Sequence, residues 1–104
     1  IERSGDRFLR RIYTEGELET FRENTSSLAA RYAAKEAVSK ALGCGIGDVE
    51  WVEIEVLRGP NREPVLHLHD KAAELAKELG LTEWSISLSH TREHAVAMVV
   101  AQTG

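Results

Sequence analysis

The residues with the types and spacing to do chemistry are Glu36 and Lys40, in the run Arg31-Tyr32-Ala33-Ala34-Lys35-Glu36-Ala37-Val38-Ser39-Lys40-Ala41-Leu42-Gly43. Its composition predicts a long helix, Leu28 to Leu42, stopped at Gly43. At i, i+4 the two charges share one face of that helix, away from a slim apolar stripe of Ala30, Ala34, Ala37, Val38 and Ala41. A carboxylate is a hard oxygen ligand, and Mg²⁺ takes one or two of them and leaves its other positions to water and phosphate. An ammonium one turn further on meets phosphate oxygens as a point charge. The plainer reading is an exposed Glu–Lys pair, which contributes only about 0.3–0.5 kcal/mol to a helix.

Other constellations are weaker. Arg3, Arg7, Arg10 and Arg11 face only Glu2 and Asp6 in the first dozen residues. On a helix they form a basic stripe, suited to a local acidic partner or simply to solvent. Nucleic-acid binding would call for broader positive charge and a sheet face mixing basic and aromatic residues, which the sequence lacks. His67-x-His69 with His90 and His94 has no specific zinc spacing and no thiolate pair. Gly43 to Gly47 follows a helix instead of preceding one, so it reads as a cap and turn rather than a phosphate cradle. Cys44 reads as a loop bystander, and Trp51 and Trp84 as core or interface residues.

The elements that must position these residues follow from patterning. Residues 5–13 predict a short helix with Phe8, Leu9 and Ile12 inward, and Thr14-x-x-Glu17 a capping box opening a second helix to Phe21. Asn24 to Ser27 is a loop, with Ser26 or Ser27 capping the long helix. Trp51 to Val56 alternates as a strand with Val52, Ile54 and Val56 inward; Gly59-Pro60-Asn61 turns into a partner strand, Pro64 to His69. Asp70 caps a helix Lys71–Leu79 closed by Gly80. Trp84 to Ser89 alternates again, and Ala95 to Ala101 is apolar throughout, as for a central strand. Helices, two strands, a helix and two strands predict an α+β fold, a mostly antiparallel sheet packed against a long helix.

Composition bounds the rest. With 104 residues the chain is expected to form one domain over 1–104. Its formal charge is −4, from 13 basic and 17 acidic residues. The longest apolar run is too short to span a bilayer, and a single cysteine excludes an internal disulfide and suits a reducing cytoplasm. No secretory leader is visible, and Ile1 in place of Met points to a processed or cut start. A cytoplasmic protein with no membrane and no nucleic-acid partner is expected.

Arg31-Tyr32-x-x-Lys35-Glu36-Ala37-x-x-Lys40-Ala41-x-Gly43 resembles the signature of the 4′-phosphopantetheinyl transferases, specifically the small single-domain holo-acyl-carrier-protein synthases. Ser4-Gly5-Asp6-Arg7-Phe8 with Arg11-Ile12-Tyr13-Thr14, the glycine loop Gly43-Cys44-Gly45-Ile46-Gly47, and Ser87-Leu88-Ser89-His90-Thr91 before Ala95-Val96-Ala97 agree with it in order and spacing. The resemblance implies the family's fold and its activity, transfer of 4′-phosphopantetheine from coenzyme A to a serine of an apo acyl carrier protein. It implies Mg²⁺ held by Glu36, with Lys40 near the diphosphate. It puts Arg31, Lys40, Gly43, His90 and Thr91 at the coenzyme, and Arg7 and Arg11 on the helix that docks acidic carriers. It also implies a homotrimer with active sites between subunits.

Two departures accompany the resemblance. The family opens with a strand bearing Gly-x-Asp, whose aspartate is the other protein ligand for Mg²⁺. These residues begin inside the first helix, where Asp6 matches a different position, so weakened metal binding is expected. A non-catalytic module holding coenzyme A or the carrier is the alternative expectation. Arg62-Glu63-Pro64 stands where the family commonly has Gly-basic-Pro, altering a turn.

Overall fold

In a computed structural model, the described residues are 4–43, 49–90 and 94–103, the side chains of 4–6 and 90 excepted. Helices α1 (Ser4–Ile12), α2 (Glu15–Phe21) and α3 (Thr25–Ala41) come first. After a 3₁₀ turn at Trp51–Glu53 follow β1 (Ile54–Arg58), β2 (Pro64–Leu68), α4 (Asp70–Leu79), β3 (Leu81–His90) and β4 (Ala95–Thr103). The strands form two antiparallel ribbons, β1 with β2 and β3 with β4, so the α+β expectation holds. Helix α3 lies across the β3–β4 ribbon and also touches β1 and α2.

The apolar stripes close two cores. Val38 of α3 and Leu42 at its C-cap meet Val49, Ile54 and, from α4, Ala72 and Ala76. Ile12, Tyr13, Leu18, Phe21 and Leu28 make the second, between α1, α2 and the start of α3. Ala30 and Ala34, both essentially without exposed surface, let α3 approach its neighbours closely. Ala37 is half-buried and Ala41 exposed, because the buried stripe follows residues 27, 31, 35 and 39 instead.

Several boundaries differ from the sequence reading. The capping box at Thr14 and Glu17 is present as expected, but the cap of α3 is Asn24, whose Oδ1 accepts the Ser27 N–H at 3.0 Å. Ser27 is buried, so its place inside the helix outweighs its capping propensity. Phe8 is 61% exposed, since α1 leaves an open groove against α3 where that ring forms a wall. The first strand starts at Ile54, because Glu53 turns inward and accepts the Ala72 N–H at 3.0 Å and the Glu50 N–H at 2.9 Å. That carboxylate caps α4 from outside; Asp70, at φ 48°, is not the cap. Gly80 closes α4 at φ 72°, a left-handed conformation that glycine adopts without strain.

The apolar run of β4 is not central. Among the described strands it pairs with β3, from Leu81↔Thr103 to His90↔Ala95. Ala95, Ala97, Val99 and Ala101 are half-buried, whereas Val96, Met98 and Val100 are 59%, 67% and 45% exposed. The strand reads as apolar on both faces, yet among the described residues only one face is covered.

Candidate functional site

Helix α3 carries the candidate site on its outer side. Glu36 and Lys40 are both exposed, one turn apart, as the sequence predicts. Among the described residues neither side chain has a hydrogen bond or ion pair, and they do not pair with each other. The plainer reading, a stabilising surface pair, is therefore not what the geometry supports. Ser39 Oγ donates to the Glu36 carbonyl at 2.8 Å, fixing the backbone beneath the carboxylate. Gly43 follows at φ 72°, with open space where a Cβ would stand.

The inner side of the same helix carries charges that sequence reasoning missed. Lys35 Nζ lies 2.8 Å from Glu17 Oε1, and both side chains have no exposed surface. Lys35 also donates to the Trp51 carbonyl at 3.1 Å and to the Ile54 carbonyl. Burial holds its ammonium below the ordinary lysine range, against the pull of Glu17. Glu17 in turn accepts the Thr14 N–H at 2.9 Å and the Val56 N–H at 2.7 Å. The signal was present: Leu28, Arg31, Lys35, Val38 and Leu42 share one helical stripe, so charges on it must be paired inside.

Arg31 is not brought to Glu36 and Lys40. It is 6% exposed, its guanidinium lies 3.7 Å from the Phe21 ring centroid, and Nε donates to the Val56 carbonyl at 3.3 Å. Burial, then the neighbouring Arg58, press it below its ordinary pKa. Of the closing hairpin, Thr91 and the side chain of His90 lie outside the described residues, as does the loop after Gly43.

A single exposed carboxylate fits Mg²⁺ in kind, since that ion keeps water and takes phosphate oxygens alongside few protein ligands. No group of three or more His, Cys, Asp or Glu able to hold a metal occurs among the described residues. Elsewhere, Glu55 accepts from Thr14 Oγ1 and lies 2.9 Å from His69 Nε2. Burial pushes its carboxyl up, but these hydrogen bonds and the nearby His67 and His69 hold it below the usual range.

Arg7 and Arg11 stand exposed one turn apart on α1. Beside them runs an apolar groove of about 440 Å³ between α1 and α3, walled by Phe8, Leu9, Ile12, Leu28 and Tyr32.

Residues 1–99 match the model of the 4′-phosphopantetheinyl transferase superfamily. A holo-[acyl-carrier-protein] synthase of Herpetosiphon aurantiacus is 47% identical, over 96% of this chain and 84% of its own length. One of Carboxydothermus hydrogenoformans is 51% identical, over 95% and 82%. The crystal structure of the Helicobacter pylori holo-[acyl-carrier-protein] synthase in complex with coenzyme A superposes with a TM-score of 0.81 at 32% identity, covering 92% of this chain and 82% of that one.

Proposed function

The chain belongs to the 4′-phosphopantetheinyl transferase superfamily, as a holo-[acyl-carrier-protein] synthase, and from that premise we propose how its residues carry out the reaction. It transfers 4′-phosphopantetheine from coenzyme A to a serine of an apo acyl carrier protein. The serine oxygen bonds to the β-phosphorus and gives up its proton to solvent as the bond from that phosphorus to the bridging oxygen breaks, and adenosine 3′,5′-bisphosphate leaves. The observation that carries the residue assignment is the exposed pair Glu36 and Lys40 on the signature helix, unengaged among the described residues.

Glu36 would hold Mg²⁺ together with phosphate oxygens and water. Magnesium, when bound, supplies neutralisation of the charge on the diphosphate. Lys40, one turn away, stabilises or protonates the leaving oxygen, on which negative charge builds as the bond breaks. Gly43, His90 and Thr91 are assigned to the coenzyme by resemblance. Arg31 is engaged with Phe21 and Val56, so we give it a role inside the fold instead.

Arg7 and Arg11 dock the acidic carrier, and the apolar groove beside them offers a seat for side chains of the carrier's docking helix. The bare face of β4, with Val96, Met98 and Val100, supports assembly of the chain with copies of itself as a homotrimer. A cytoplasmic location is supported by the lone cysteine, and no described helix is long and apolar enough to cross a membrane.

The test combines binding and transfer. Coenzyme A is titrated calorimetrically into the folded chain with Mg²⁺ and then with chelator, and apo carrier is weighed by mass spectrometry after incubation. Magnesium-dependent binding with gain of the phosphopantetheinyl mass is expected. Binding without transfer would favour the non-catalytic alternative, and neither one from a folded chain would overturn the reading.

A further inference from the structure

Among the described residues β1 pairs with β2 on one side, and its opposite edge is met by charged side chains. The Ile54 carbonyl accepts from Lys35, the Val56 carbonyl from Arg31 at 3.3 Å, and the Val56 N–H donates to Glu17 at 2.7 Å. The spacing is commensurate. Four residues of helix rise about 6 Å, and two residues of strand about 6.6 Å. Arg31 and Lys35, one turn apart on α3, thus reach alternate carbonyls of β1 in antiparallel order. Glu17 of α2 bridges the two rungs, since its other oxygen holds Lys35 at 2.8 Å.

We propose that Arg31, Lys35 and Glu17 are positioning residues for the transfer, a ladder that sets the rotation and axial register of α3 and so of Glu36 and Lys40. The rest of the inward face is too smooth to do this alone. Ala30, Ala34 and Val38 are small, non-directional and compatible with neighbouring registers. Hydrogen bonds from buried charges are directional, and a slip of one turn would leave one cation, one β1 carbonyl and the Glu17 contacts without their partners inside. Lys35 adjoins Glu36 in the chain, about 100° around the helix, so fixing one inward fixes the other outward. Buried ion pairs are often replaceable by apolar residues without loss of stability, and registry is their best-attested use.

This inference rests on Glu36 and Lys40 acting in the transfer, so the test includes the parent chain and Glu36→Ala. The central variant is Lys35→Met with Glu17→Gln, which removes both charges while keeping volume. Leu75→Ala, on α4 and half-buried against the core but making none of the ladder's hydrogen bonds, serves as a control for lost stability. Each chain is measured for melting temperature, kcat, KM for coenzyme A, and magnesium affinity by calorimetry with coenzyme A present. By analogy with groups that orient a metal ligand, the double variant is expected to lose about tenfold in magnesium affinity and about tenfold in kcat. Its KM for coenzyme A should stay within about threefold, and Leu75→Ala should keep both values at any melting temperature at which it is folded. Should the double variant not fold, Glu17→Gln alone, which keeps an acceptor for Lys35, is expected to lose magnesium affinity and kcat in the same ratio to a smaller extent. Unchanged magnesium affinity in the folded double variant, or in Glu17→Gln when only that folds, overturns the proposal. So do equal losses in the Leu75→Ala control. No transfer by the parent chain, or full activity of Glu36→Ala, overturns the site assignment itself and the positioning role with it.

Discussion

Two glutamates in this chain, Glu17 and Glu36, illustrate how environment separates roles that composition cannot. Glu17 has no exposed surface and holds two backbone N–H groups and an ammonium, while Glu36 stands in solvent with its carboxylate unengaged. Lys40→Ala is therefore expected to fold with an unchanged melting temperature and to lose kcat by about a hundredfold or more, as for a group that stabilises charge developing in the transition state. Steady-state kinetics alongside thermal melting checks this, and a melting change without a kinetic one would remove Lys40 from the site. Glu55 gives a pH prediction. Its carboxyl is pushed up by burial and pulled further down by Thr14 and His69, to a net position below the ordinary glutamate range. A depressed folded pKa contributes stability that is present above the unfolded value and lost as pH falls through the folded one. Glu55→Gln should thus be less stable than the parent at neutral pH, with the difference shrinking in chemical denaturation below about pH 4.5. A gap that stays constant down to pH 2 would contradict the assignment.

At the level of elements, the ends of helices and turns were the least legible. The sequence predicts the cap of α3 at Ser26 or Ser27, whereas the fold buries Ser27 inside the helix and puts the cap at Asn24. Asn24→Ala should cost about 1 kcal/mol, a fall in melting temperature of about 4–8 °C for a domain near this size, whereas Ser26→Ala should change it little. The turn between β1 and β2 holds Arg62 at φ 67°, a left-handed conformation that costs a side-chain-bearing residue about 1–2 kcal/mol. Glycine there is expected to raise stability by about 1 kcal/mol in denaturant titration, and a loss would mean that the arginine makes a compensating contact. The capping box at Thr14 and the glycine stop at Gly80 were readable because each is completed within a few residues. The cap on α4 was not, since Glu53 reaches it from 19 residues away.

For the whole molecule, the decisive feature is the uncovered face of β4. A strand apolar on both sides predicts burial on both, and among the described residues only one face is covered, by α3 with its neighbours. Met98→Glu should leave the fold intact while converting the proposed trimer to monomers in sedimentation, with transfer falling in step. A parent chain that sediments as a monomer at all concentrations would sink the homotrimer reading.

The sequence by itself determined the order of elements, the α+β class, the signature helix and the placement of Glu36 and Lys40 on one face, because each follows from periodicity or local chemistry within about one helix length. Tertiary structure decided which groups the inward stripe of that helix meets. Its inner stripe carries Arg31 and Lys35, and whether two cations face solvent or the interior depends on partners distant in sequence, Glu17 and the open edge of β1. Desolvation makes such burial unfavourable unless every charge finds its partner, and only the assembled fold brings those partners within hydrogen-bond reach.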